Sequence, residues 1–195
     1  VPEKVLKISA FVDSKMLLED EKGEIYKSGL TGIYQLKNIN TVLCAIDVFN
    51  QLKYNNLPRI NLSKIKEGIE KVTELSGLQG RWQVVSKKPR IIVDTGHNEA
   101  GIKYVTEQLK YENYKNLHIV FGMVSDKDIL PVLKLLPANA FYYFTQASIP
   151  RALNAEILTE KAKSIGLNGS VYFTVRQSIE SAKNNADFDH LIFIG

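Results

Sequence analysis

An α/β fold, with a mostly parallel sheet flanked by helices, is predicted for the larger part of this 195-residue chain. Three observations predict it. Apolar runs recur at 90–94, 117–122, 140–144, 170–174 and 190–194, and they are continuous rather than alternating, as in strands buried on both faces. Helical periodicities fall between them, near 98–111, 126–136, 154–166 and 175–186. Strand and helix therefore alternate four times, and right-handed crossovers then lay helices on both faces of the sheet.

The chain ahead of this rhythm reads differently. "LKISAFVD" and "KMLLEDEKGEIYKSG" alternate apolar and polar residues, as half-buried strands do, and Glu21-Lys22-Gly23 is a turn that closes a hairpin. In "NINTVLCAIDVFNQL", Ile39, Val42, Leu43, Ile46, Phe49 and Leu52 share one helical face, and Asn55, Asn56 and Pro58 end that helix. "NLSKIKEGIEKVTEL" repeats the period through Ile65, Ile69, Val72 and Leu75. "SGLQGRWQVVSKKP" has glycines, a proline and no clear period. It reads as a linker, 78–89, between a first region, 1–77, and the α/β region, 90–195. Within the latter, Ser125-x-x-Asp128 and Thr174-x-x-Gln177 have capping-box spacing, and Asn154 suits an N-cap.

Composition narrows the function. Hydrophobic residues make up 45% of the chain, enough for a real core, and no apolar run approaches the roughly 20 residues of a membrane helix. The net charge of +4 is spread along the chain, with no basic block interleaved with aromatics, which argues against nucleic acid as a partner. Cys44 is the one cysteine, so no internal disulfide forms and a reducing, cytoplasmic setting is expected. Its place in an apolar helical pattern predicts a core residue. The opening Val1-Pro2-Glu3 and the closing "HLIFIG" read as a piece of a larger protein. Neither G-x-G-x-x-G nor a P-loop occurs, which argues against a dinucleotide enzyme and a self-contained P-loop ATPase.

The stretch "RIIVDTGHNEAGIKYV" concentrates chemistry where a strand hands over to a helix. Ligands of parallel sheets bind beyond the carboxyl ends of the strands, and Asp94 stands at such an end. A carboxylate there can accept hydrogen bonds from ribose hydroxyls. Gly96 permits a tight turn, Asn98 can cap a helix whose N-terminus attracts anions, and His97 can bind phosphate, orient Asp94 or relay a proton. On spacing alone, the plainer reading of turn and cap residues leads.

Four segments taken in order change the balance: "GIYQLKNINTVLCAI", "GRWQ", "IIVDTGHN" and "FGMVSDKDI", with "SIPRALNAEIL" behind them. The array resembles folylpolyglutamate synthase and the bifunctional dihydrofolate synthase, members of the Mur ligase superfamily. The resemblance covers nearly the whole chain. Two departures stand out: Gly96 where the family usually has Ala, and Glu99 where it usually has Pro. The resemblance implies that 1–77 is the end of a central ATPase domain and 90–195 a Rossmann-like C-terminal ligase domain, truncated at its end, with the hinge between them.

It also implies roles. Asn38 matches the asparagine that reaches adenine, with Tyr34 and Gln35 helping to build that pocket; the plainer reading makes Asn38 an N-cap. Arg81 matches the linker arginine on ATP phosphates, and Asp94 the ribose-binding acid. His97 and Asn98 belong beside the nucleotide, His97 also as a catalytic candidate. Lys127 is a second catalytic candidate, facing substrate carboxylates or phosphate, or pairing with its acidic neighbours. Arg151 matches a substrate-carboxylate contact, with a surface arginine as the alternative. Trp82 is expected to pack at the domain junction. The implied reaction is ATP-dependent ligation of L-glutamate to folate or dihydropteroate through an acyl phosphate, with Mg2+ whose ligands lie upstream of this chain. The implied protein is a cytoplasmic monomer, away from membranes, and the isolated piece is expected to be inactive. Two alternatives differ in class: a peptidoglycan-precursor ligase of the Mur type, and a non-catalytic Rossmann-like binding module.

Overall fold

The computed structural model describes residues 6–52, 58–125 and 128–195. They form two compact units, Val1–Arg81 and Trp82–Gly195.

In the first unit, β1 (Lys7–Val12), β2 (Lys15–Glu19) and β3 (Ile25–Ser28) make an antiparallel meander. Asp13 and Ser14 join β1 to β2 with φ of 50° and 61°, the left-handed pair that a two-residue hairpin needs. The next turn is fixed by Asp20, whose Oδ1 accepts from the N–H groups of Lys22 and Glu24, both at 2.9 Å. Alternation on β2 and β3 buries Met16, Leu18 and Tyr26 against the helices. Helix α1 (Gln35–Gln51) contributes Ile39 and Leu43 to this core, while α2 (Leu62–Glu70) contributes Ile65 and Ile69. Asn61 caps α2 by accepting from Lys64 N–H at 3.0 Å. Lys15–Glu70 and Lys66–Glu24 ion pairs join α2 to the meander.

Helix α1 ends at Gln51; of the expected stop signals, Asn55 and Asn56 lie outside the described residues. Two expectations for this region change. The second helical pattern breaks at Lys71 into α2 and a short α3 (Val72–Ser76), closed by Gly77 at φ 68°, which leaves Leu75 67% exposed. Cys44 is half-buried rather than core.

The second unit carries a six-stranded sheet in the order β4-β5-β9-β6-β7-β8. Its strands are β4 (Gln83–Lys87), β5 (Arg90–Val93), β6 (Leu117–Phe121), β7 (Phe141–Thr145), β8 (Gly169–Tyr172) and β9 (Leu191–Ile194). The last five are parallel, at the predicted places to within a residue or so. β4 is a correction: the expected linker, 78–89, contains an antiparallel edge strand paired with β5. A register shift between Val84 and Ser86 swings Val85 outward and breaks the alternation that would have marked the strand.

The helices are α4 (Glu99–Leu109), α5 (Leu130–Leu133), α6 (Ala155–Lys163) and α7 (Val175–Asn185). Helices α4, α5 and α6 pack with Ile92, Ile119, Phe121, Tyr142, Phe144 and Phe193 on one face. The alternate residues Ile91, Val120, Tyr143 and Ile192 form the other face with Ile179 and Ala182 of α7. The chain steps from β5 outward to β8, then returns to insert β9 between β5 and β6. That reversal of direction, with right-handed crossovers, puts α7 alone on the second face.

Helix α5 is far shorter than the predicted 126–136. Pro131 has no N–H for an i−4 carbonyl and is tolerated only in a first turn, so the helix starts at Leu130. The expected capping boxes divide. Thr174 accepts from Gln177 N–H at 3.2 Å, whereas Ser125 donates to the Arg151 carbonyl and caps no helix among the described residues. Asn154 caps α6, accepting from Glu156 and Ile157 N–H groups.

Candidate functional site

The carboxyl edge of the parallel sheet is built from short strand exits. Asp94 N–H donates to the Ile194 carbonyl at 3.0 Å, Gly195 N–H to Val120 at 3.0 Å, and Gly122 N–H back to Gly195 at 3.2 Å. Gly122 lets the two strand ends approach closely: a Cβ there would lie 3.0 Å from the Thr145 carbonyl oxygen, a tight contact. Thr145, buried at the end of β7, directs a hydroxyl into the protein with no hydrogen-bond partner among the described residues.

Asp94 is 2% exposed. Its Oδ1 accepts from Gly96 N–H at 2.8 Å, an Asx-type turn, and its Oδ2 accepts from Trp82 N–H at 2.7 Å. The carboxylate thus joins the entry of β4 to the exit of β5. Trp82 stands at φ 50°, in the left-handed region, and its buried ring packs against Phe193 with centroids 6.1 Å apart. Trp82 is therefore core of the second unit. The alternative of turn and cap residues describes what Asp94 and Asn98 do in this conformation. Asn98 is the N-cap of α4, its Oδ1 accepting from Gly101 N–H at 2.7 Å.

His97 is exposed, with Nδ1 3.1 Å from the Thr95 carbonyl. A carbonyl only accepts, so the neutral ring carries its proton on Nδ1 and keeps Nε2 as an acceptor. Glu99 adds a carboxylate to the first turn of α4. That favours the helix dipole but opposes a phosphate placed at the same end.

Arg151 is exposed and its backbone is held. Its carbonyl accepts from Ser125 N–H at 2.8 Å and Ser125 Oγ–H at 3.2 Å. Leu153 N–H donates to Met123 at 2.8 Å, and Val124 bridges Ala152. Two loops at the carboxyl edge are thereby clasped together. Lys127, on the first of them, lies outside the described residues; Asp128, beside it, accepts from Leu130 N–H at 3.2 Å. No three His, Cys, Asp or Glu side chains converge at this edge among the described residues.

Asn38 and Arg81 belong to the first unit, and Asp94, His97, Asn98 and Arg151 to the second. Asn38 is not an N-cap. It lies inside the first turn of α1, exposed, donating from Nδ2 to Oε1 of buried Gln35 at 2.8 Å. Arg81 donates from Nη1 to the Gly80 carbonyl at 3.2 Å. The Asp94–Trp82 bond and the Ser125–Arg151 clasp were invisible in the sequence, since no local pattern signals a contact 12 or 26 residues away.

Residues 80–195 match the family "Mur ligase, glutamate ligase domain". The dihydrofolate synthase/folylpolyglutamate synthase of Escherichia coli strain K12 is 30% identical over 138 residues, covering 69% of this chain and 31% of that protein. The protein of the same name from Buchnera aphidicola subsp. Schizaphis graminum is 29% identical over 147 residues, covering 74% of this chain and 32% of its own length. The chain thus spans about a third of these relatives. Among solved structures, E. coli FolC in complex with ADP superimposes with a TM-score of 0.70 at 27% identity, over 97% of this chain and 43% of that one. Mycobacterium tuberculosis folylpolyglutamate synthase complexed with ADP reaches a TM-score of 0.79 at 21% identity, over 98% and 45%, and bears on the fold alone.

Proposed function

The chain belongs to the Mur ligase family through its glutamate ligase domain, and from that premise we propose that it is part of an ATP-dependent ligase that adds L-glutamate to a folate acceptor. One observation carries the proposal: the Asp94–Asn98 turn, the predicted nucleotide motif, stands at the carboxyl end of β5, where parallel sheets receive ligands. The relatives named for folate ligation, and the FolC structures named for ADP, support the same reading.

In the proposed reaction a folate or dihydropteroate carboxylate attacks the γ-phosphorus of ATP, and ADP leaves. The amine of L-glutamate then attacks the acyl phosphate, forms the amide and releases phosphate and a proton. Asn38, with Gln35 beside it, would meet the adenine edge, and Arg81 the phosphates, where a planar guanidinium forks onto two oxygens. Asp94 would fix the turn beneath the nucleotide, and a ribose contact would need the Trp82 N–H bond to tilt or open. His97 offers Nε2 at the turn's outer side. Arg151 and Lys127 would take a substrate carboxylate. A divalent ion, magnesium in this proposal, supplies charge stabilisation on the phosphoryl group in such ligases. Among the described residues, the carboxyl edge brings together no three carboxylate, thiolate or imidazole ligands for it.

The test uses the uninterrupted protein, with Mg-ATP, L-glutamate and either tetrahydrofolate or dihydropteroate, followed by product mass. Gain of one glutamyl group with release of ADP is expected, and Asp94→Ala should lose most of it. A folded protein that modifies neither acceptor but extends a UDP-sugar peptide would replace folate by a peptidoglycan precursor. The 195-residue chain alone is expected to give no turnover.

A further inference from the structure

At the opposite, amino end of the sheet, two of the chain's three histidines are buried against each other. His118 on β6 is 2% exposed and His190, just before β9, is 6% exposed. Their rings stack with centroids 5.1 Å apart, and His118 Nε2 lies 2.9 Å from His190 Nδ1. Nothing in the proposed ligase chemistry uses them.

The surrounding hydrogen bonds fix which nitrogen holds each proton. Asp187 N–H points at His190 Nδ1 from 3.2 Å, so Nδ1 is an acceptor and the ring proton sits on Nε2. His118 must then donate from Nε2 to the same Nδ1, leaving its own Nδ1 to accept the Tyr143 hydroxyl proton at 2.9 Å. Tyr143 oxygen in turn accepts from Asn185 Nδ2 at 3.2 Å. Asn116 Nδ2 stands 3.0 Å from His190 Nε2, and since two donors cannot face each other the amide must be turned to present its oxygen there. Both histidines are neutral in this arrangement, and every proton has a direction.

The geometry limits what the pair can bind. A first proton enters at His118 Nδ1 if the Tyr143 hydroxyl turns its hydrogen away and becomes the acceptor. A second has only His190 Nδ1 left, where it would meet the His118 Nε2–H and the Asp187 N–H head-on. We propose that the His118–His190 pair is a pH-sensitive latch, holding the α7–β9 turn against β6 until both rings are charged and then letting it go. Asp187 and Asp189 of that turn each place an oxygen 3.7 Å from His190 Nε2. The other flanking groups are Tyr143, with Tyr172 beyond it, the Arg90–Glu112 pair at the start of β5, and Lys115, whose N–H donates to the Asp189 carbonyl. The amides this latch protects are those of His190, bonded to Asp187 O, and Leu191, bonded to Asn116 O.

Amide hydrogen exchange on the full chain, corrected for the intrinsic pH dependence, tests it. Protection at His190 and Leu191 should fall about tenfold or more on going from about pH 7.5 to about pH 5. His118→Gln, which can still donate to His190 but does not itself titrate, should lose clearly less. Equal losses in wild type and variant, or none in either, would overturn the latch. Should the variant not fold, imidazole 15N resonances of the wild type decide. Two Nε2–H tautomers at neutral pH, with His190 Nδ1 taking a proton as the turn opens, are expected. Both rings charged beneath an undisturbed turn would refute the proposal.

Discussion

Asp94 holds two backbone N–H groups with one buried carboxylate, and an amide cannot do the same. In Asp94→Asn one of them faces an NH2 group and loses its acceptor. The second unit should lose about 1–3 kcal/mol, read from urea unfolding. Asn98→Ala removes the cap of α4 and should cost about 1 kcal/mol in the same assay. These residues also mark the limit of reading by pattern. "DTGHN" announced a turn and a cap, which follow from neighbours in the chain. That Asp94 also reaches Trp82 follows from an edge strand whose alternation is interrupted at Val85, so neither the strand nor the bond was legible. Likewise "LHIVF" and "HLIFI" each place a histidine beside an apolar strand, but only the sheet order sets those two rings in contact.

At the scale of elements, the five parallel strands were legible because each is a short unbroken apolar run between turn residues, and burial on both faces demands that. Helix α5 is shorter than its pattern predicts because "DILPVLKLLP" keeps a helical period on both sides of Pro131, and the missing N–H decides where the helix starts. The β1–β2 turn shows a local choice that can be improved. Asp13 and Ser14 both occupy the left-handed region, which glycine enters without a Cβ penalty. Ser14→Gly should raise the stability of the first unit by about 0.5–1 kcal/mol, seen as a higher urea midpoint. Trp82→Ala should do the opposite to the second unit: a large buried ring leaves the core beside Phe193, at a cost of about 3–5 kcal/mol.

The whole molecule has a pH dependence whose sign is set by His118. Burial, and then repulsion from His190, hold its pKa below the usual imidazole value, with Asp187 pulling the other way. A base whose folded-state pKa is depressed takes up its proton in the unfolded chain first. Its contribution is therefore complete above about pH 6.5, and is lost as the pH falls from there toward the depressed value. Thermal unfolding should shift downward through that window, and less so in His118→Gln. The two units also carry cores of unequal size. Among the described residues, one set of eight buried side chains serves the first, while the second has clusters on both faces of its sheet. Amide exchange should find the deepest protection on β6 and β9 and shallower protection throughout the first unit.

The insertion of β9 between β5 and β6 bears on how the protein is made. Of the six strands, the one that must sit in the middle leaves the ribosome last. Arg90 waits for Leu191 and Leu117 waits for the same residue, so the inner edges of β5 and β6 stand open during synthesis. Contacts across such sequence distances form slowly, and open strand edges invite pairing with other nascent chains. A chain halted before Leu191 should be caught in this state: helical by circular dichroism, without the cooperative transition of the second unit, and prone to aggregate.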